Sequence, residues 1–194
     1  MNDIVLRGGR VVDGTGSPAR EADVAIRDGI IVEVGPACGP AKRELAAEGL
    51  TISPGFIDIH AHADLYLLRN PSTNHRILQG VTAEVAGNCG FSAAPLGEWA
   101  RDFRQYARPV LGTWPADAQY TGMADYLDAL ARTPLRHSAG ALIGLGALRV
   151  AVRGYRPGRL APSEMDRLIR LARESLDAGA LGVSMGLMYV PEAY

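Results

Sequence analysis

Cysteine is scarce in this sequence: two residues, Cys38 and Cys89, among 194. Two thiols cannot build the disulfide framework of a small secreted domain, so each needs its own explanation. Also missing is any apolar run approaching the ~18 residues of a membrane span, and the opening MNDIVLRGGR lacks the apolar core of an export signal. A membrane partner is therefore not expected, and a cytoplasmic protein is. Charge of one sign is not in excess either. With 20 Lys and Arg against 21 Asp and Glu, the formal net charge is -1, which gives no footing for nucleic acid or another polyanion. What is present is an ordinary globular composition, 47% hydrophobic, enough at this length for a sizeable core.

Histidine is concentrated. Of four in the chain, two stand one residue apart in SPGFIDIHAHAD, from Ser53 to Asp64. The Pro54-Gly55 break and the β-branched Ile57 and Ile59 point to a short strand. Side chains on a strand repeat direction every second residue, so His60 and His62 share a face and Ala61 turns away. Two imidazoles on one face make a metal chelate, although such a pair also arises by chance at a strand end.

Around this stretch the chain divides into two patterns. From Ile4 to Val34, short apolar runs are separated by Gly8-Gly9 and Asp28-Gly29, which predicts a small sheet with a tight hairpin turn at Asp28-Gly29. Cys38, in the turn PACGPAKRE, has no neighbouring ligand and reads as structural. After His62 a helix is expected through Ile77 and Leu78 to a cap at Gly80, then a strand from Val81 that ends in Cys89. Strand, helix, strand at this spacing is a βαβ unit with parallel strands. The segment Glu98 to Tyr120 carries both tryptophans and reads as an excursion without a legible job.

A helix is predicted over Met123 to Leu130, stopped by Pro134, and a third strand over Ser138 to Leu145. The strongest helical pattern runs from Ser163, taken as its cap, to Asp177, with Met165, Leu168, Ile169, Ala172 and Leu176 as one apolar stripe. A fourth strand follows at Ala180 to Ser184. His75 and His137 are expected to be solvated. His60, His62 and Cys89 then all fall at the C-terminal ends of neighbouring parallel strands, and two imidazoles with a thiolate suit Zn2+.

Two phrases carry a resemblance. GFIDIHAHAD resembles the signature of the amidohydrolase superfamily, and GVTAEVAGNCGFSAAP resembles its N-acyl-D-amino-acid deacylase (D-aminoacylase) branch. The likeness extends from LRGGRVVDGTG to GALGVSMGLMYVPEAY. It implies an α/β fold, the first half of a metal-dependent-hydrolase (β/α)8 TIM-type barrel preceded by part of a small β-sandwich. Residues 1–53 would belong to the sandwich and 54–194 to about four βα units. It further implies one or two zinc ions held by His60, His62 and Cys89, with Cys89 standing where related enzymes use a carboxylated lysine. Tyr189 would approach a small N-acyl amino acid substrate. The proton-shuttling aspartate and the later histidine ligands would come from a C-terminal half of the same enzyme, so no catalytic acid or base is assigned within these residues. One position departs from the branch: Leu145 stands in Gly144-Leu145-Gly146 where a histidine is common.

Other readings stay open at this point. A cyclic-amide amidohydrolase of the dihydropyrimidinase or dihydroorotase type shares the His-x-His strand but not the cysteine. A fragment that only binds metal or a partner chain is a further possibility. Gly182-Val183-Ser184-Met185-Gly186 matches a serine nucleophile elbow, but that elbow needs a helix directly after the serine, and Leu187-Met188-Tyr189-Val190-Pro191 follows instead.

Overall fold

The computed structural model describes residues 1–116, 118 and 120–193. They form two compact units, Met1–Gly55 and Phe56–Tyr194. The expected excursion over 98–120 includes two positions, 117 and 119, that lie outside the described residues.

The first unit is a five-stranded sheet. Strands β1 (Asn2–Val11), β2 (Arg20–Arg27), β3 (Ile30–Gly35) and β4 (Ala41–Ala46) lie in the order β3-β2-β1-β4, and the short β5 (Thr51–Ile52) extends β1. β1, β2 and β3 pair antiparallel, whereas β4 and β5 run parallel to β1. Asp28 and Gly29 both take positive φ, 52° and 76°, the conformation a two-residue hairpin needs to match strand twist. Gly29→Ala should therefore lower stability by about 1 kcal/mol in a urea melt, because an L side chain is disfavoured there.

Gly8-Gly9, expected as a turn, is instead a bulge inside one long strand: the β1–β2 register shifts between Leu6 and Gly9, and Gly8 has φ 64°. Asp23 holds the bulge. Its carboxylate accepts from Gly8 N (2.8 Å), Arg7 Nη1 (2.7 Å) and Cys38 N (3.1 Å). The Gly8 amide, then the Arg7 guanidinium, keep that carboxyl below its usual range. Cys38 is buried against Val5 and Ala25, and burial pushes its thiol up, so it is an inert packing residue. The sheet's own core is small, and Ile30, Ile31, Val32 and Val34 of β3 are exposed.

The second unit begins with β6 (Phe56–Asp58), followed by α1 (Tyr66–Arg69) and a 3-10 turn at Ile77–Gln79 closed by Gly80 at φ 81°. β7 (Val81–Ala86) comes next, then α2 (Ala100–Leu111), α3 (Met123–Arg132), β8 (Ser138–Ala141), β9 (Ile143–Gly144), α4 (Leu145–Arg153), α5 (Pro162–Asp177) and β10 (Val183–Ser184). β6, β7 and β8 form one parallel sheet in that order, and β9, which continues the line of β8 after Leu142, pairs in parallel with β10. Four successive strand positions, each joined to the next by a helical crossover, are how a (β/α)8 barrel starts.

The core lies between these strands and their helices, around Leu65, Leu67, Phe103, Tyr126, Ile143 and Leu148. The helix expected through Ile77 and Leu78 to Gly80 is only the 3-10 turn, the single turn α1 precedes it unpredicted, and two longer helices were not legible in the sequence. α2 buries Phe103, Ala107 and Leu111 at four-residue spacing, but its other faces are charged and Pro109 sits inside it, where a helix is not expected. α4 buries Gly146, Ala147, Leu148, Val150, Ala151 and Val152 and leaves only the narrow face of Leu145, Arg149 and Arg153 unburied, and its glycine and β-branched valines are weak helix formers. α5 is not capped by Ser163: Pro162 opens the helix, and Glu164 reaches back to accept from Ala161 N at 2.8 Å. Of its stripe, Leu168 and Ala172 pack on the core, while Met165, Ile169 and Leu176 remain exposed. Among the described residues, no helix is long and apolar enough to cross a membrane.

Candidate metal centre

Hydrogen bonding ends β6 at Asp58, so the two histidines lie beyond the strand rather than on it. The alternation persists regardless. Ala61 is buried, its N–H donates to Val85 O (3.1 Å), and His60 and His62 project together with ring centroids 5.6 Å apart. His60 is held in place from behind. Asp58 accepts its backbone N–H at 3.1 Å, and Arg76 in turn donates to Asp58 at 2.7 Å.

Cys89 also sits outside its strand. β7 stops at Ala86, and the thiol is carried three residues further by a turn in which Gly87, Cys89 and Gly90 have φ of 80°, 57° and 78°. A left-handed cysteine is uncommon and must be held by its surroundings. Here bonds arrive from β7 itself, from the loop after β6, from β9 and α4, and from β10. Asn88 Nδ2 donates to Val85 O (2.8 Å) and Ala61 O (3.3 Å), and the Ala147 N–H donates to Gly90 O (3.1 Å). Ser92 Oγ accepts from Gly144 N (3.0 Å), and Ser184 Oγ accepts from Gly90 N (3.1 Å).

Glycines at 144 and 146 allow this closeness. A Cβ at Gly144 would stand 2.2 Å from Gly90 O, and one at Gly146 would stand 2.9 Å from it. Leu145 between them faces an apolar groove with Leu160, Leu187 and Pro191.

The outcome is that the ligand atoms of His60, His62 and Cys89 all lie within 4.8 Å of one another. His60 Nε2 is 3.1 Å from Cys89 Sγ. A tetrahedral zinc with metal–nitrogen and metal–sulfur lengths of about 2.1 and 2.3 Å holds neighbouring donors about 3.4–3.6 Å apart; the 3.1 Å contact and the 4.8 Å limit bracket that spacing, and the nitrogen–sulfur chemistry suits that ion. His62 Nδ1 is buried without a hydrogen-bond partner, and burial, then His60, hold that imidazole below its ordinary pKa. Both influences favour the neutral imidazole, the form that ligates a metal.

Tyr189 lies on the loop after β10, half-exposed, with its ring edge-on to Phe91 at 5.3 Å, two residues from Cys89. His75 is exposed and pairs with Thr73 Oγ1 at 2.6 Å. His137 does not behave as expected. Its side chain is 1% exposed and its Nε2 lies 2.5 Å from Glu84 Oε1, because a carboxylate on the middle strand β7 draws it inward. Ser184 is not a nucleophile. Its hydroxyl donates to Gly87 O (2.5 Å), and no helix follows it among the described residues.

Residues 43–193 match the amidohydrolase family. The chain belongs to that family. It is 39% identical over 191 residues to the N-acyl-D-aspartate deacylase of Alcaligenes xylosoxydans xylosoxydans, a match that covers 97% of this chain and 37% of that protein. To the D-aminoacylase of the same organism it is 37% identical over 196 residues, covering 98% of this chain and 39% of the relative. Among solved structures, the N-acyl-D-glutamate deacylase from Bordetella bronchiseptica superposes with a TM-score of 0.88 at 34% identity, over 99% of this chain and 40% of that one. That enzyme was solved with zinc and a phosphonate mimic of the reaction's tetrahedral intermediate. The chain thus spans roughly two fifths of the length of these relatives, and the α/β architecture corresponds to the opening part of their fold.

Proposed function

We propose that the chain is the metal-binding portion of a zinc-dependent hydrolase of linear amides that deacylates N-acyl-D-amino acids. The convergence of His60, His62 and Cys89 carries this reading, in a family member similar to deacylases of that class. These three side chains would hold one zinc, with Cys89 able to bridge to a second. When bound, zinc supplies a Lewis acid for the amide carbonyl and lowers the pKa of a coordinated water.

The residues of this chain fix where that chemistry happens. Asp58 and Arg76 hold the His60 backbone, the pinned turn aims the thiol, and Phe91 with Tyr189 forms an aromatic wall beside it, where an acyl-amino acid would lie. The carboxylate that takes the proton and returns it to the leaving nitrogen is assigned to a further stretch of polypeptide that completes the barrel. A cytoplasmic location belongs to the same reading, since both thiols are free and a ligating thiolate needs reducing surroundings.

Zinc content of the purified chain, and turnover by the polypeptide that also carries the completing stretch, test the proposal. Bound zinc with hydrolysis of N-acetyl-D-amino acids and not their L enantiomers is expected. Zinc with turnover of dihydrouracil instead would replace the substrate assignment by a cyclic amide. Zinc without turnover would confine the chain to metal binding, and absence of zinc would remove the reading altogether.

A further inference from the structure

We infer that Ser184 is a positioning residue for the Cys89 thiolate, an inference that rests on the reading of Cys89 as a metal ligand. The serine belongs to β10, and its hydroxyl crosses to the turn after β7. It donates to Gly87 O at 2.5 Å and accepts from Gly90 N at 3.1 Å. One oxygen therefore closes a ring around Asn88-Cys89, the two residues between those glycines.

Among the described residues, the other anchors of this loop act differently. Asn88 fastens the base of the turn to Ala61 and Val85, Ser92 fastens the segment after it to Gly144, and Ala147 grips the Gly90 carbonyl from outside. Ser184 alone is bonded at both ends of the segment that carries the thiol. That segment needs such a clamp, because Cys89 has φ 57° and would relax toward a right-handed conformation if released, swinging Sγ away from His60 Nε2. The serine also sits in the fourth strand position, so the thiol's direction depends on β10 being docked against β9. Groups that orient a ligand in this way are worth a large factor in metal affinity although they never touch the metal.

The test compares Ser184→Thr with Ser184→Val in the full chain, two side chains of the same shape that differ by the hydroxyl. Zinc affinity is read by competition with a chromophoric chelator, and the Cys89–metal bond by the thiolate-to-cobalt charge-transfer band after Co2+ substitution. Threonine should keep both. Valine should weaken zinc binding by about 10–100-fold and diminish the band while retaining a cooperative melt.

Equal affinity and equal band in the two variants would overturn the role of Ser184. So would a valine variant that fails to fold where threonine folds, since the hydroxyl would then serve folding alone. If the extra methyl of threonine disturbs the fold, Ser184→Ala against the parent chain carries the same comparison under the same criteria. Cys89→Ala separates the two levels: if it keeps parental affinity and band, the ligand assignment itself has failed, whereas if it loses them while valine does not, only the inference about Ser184 has.

Discussion

Replacing Cys89 with alanine should strip zinc from the chain while leaving it folded. The loss should exceed the about 10–100-fold that removal of an outer partner costs, because the thiolate is one of only three donors brought together among the described residues. Two imidazoles would remain, a weaker set for an ion that favours sulfur. The fold should survive because the side chain is only half-buried and the turn is fastened by Asn88, Ser92, Ala147 and Ser184, not by the thiol.

Cys89→Gly sharpens the test. It should lose zinc equally, yet be more stable without metal than the alanine variant by about 1 kcal/mol, since only glycine takes a left-handed φ without strain. Metal analysis after dialysis, paired with urea melts of the metal-free proteins, reads both effects. An alanine variant that retains the parental zinc content would remove Cys89 from the site.

The site was legible in the sequence for a reason that does not extend to its supports. His60 and His62 announce themselves by spacing, and Cys89 by its loop of Asn88 and two glycines together with the resemblance of GVTAEVAGNCGFSAAP to the deacylase branch, so a short stretch around each is enough to nominate all three as candidates. The strands that carry them were read three or four residues too long, because the last hydrogen bonds of β6 and β7 depend on neighbours, not on propensity. Gly8-Gly9 likewise looks the same in sequence whether it forms a turn or a bulge.

The supports were hidden more deeply. Ser184 lies 94 residues from Gly90 and Gly144 lies 52 from Ser92, so nothing local marks them as members of one loop. His137 was misplaced for the same reason. Beside Arg136 and before a strand it looks solvated, and only the parallel register of β7 with β8 brings it to Glu84. The helices α2 and α4 escaped because one is interrupted by proline and the other is built on glycine and β-branched valines with only a narrow polar face at Arg149 and Arg153.

That hidden pair yields the other large expected effect. Glu84→Ala should destabilise the second unit by about 3–5 kcal/mol, a large part of the 5–15 kcal/mol that holds a typical domain together. The carboxylate is 1% exposed, faces His137 Nε2 at 2.5 Å and pairs with Arg76 Nε at 3.5 Å. Removing it leaves the buried His137 imidazole without its acceptor and takes one of two carboxylates from Arg76, which keeps Asp58. Glu84→Gln should cost less, since its amide oxygen can still accept from His137. Removing both partners in Glu84→Leu/His137→Leu should cost less than the sum of the single changes, the coupling expected of groups in contact.

Urea melts of the parent, Glu84→Ala, Glu84→Gln, Glu84→Leu, His137→Leu and the double variant measure this, and a Glu84→Ala chain as stable as the parent would refute it. The same substitution also asks whether stability and metal binding are carried by separate residues. Arg76 keeps its 2.7 Å bond to Asp58 when Glu84 is lost, and Asp58 keeps the His60 N–H, so zinc affinity in the folded fraction should fall far less than stability does. If affinity instead falls in step, the buried pair orients His60 through Arg76, and the metal centre extends one strand deeper than its ligands.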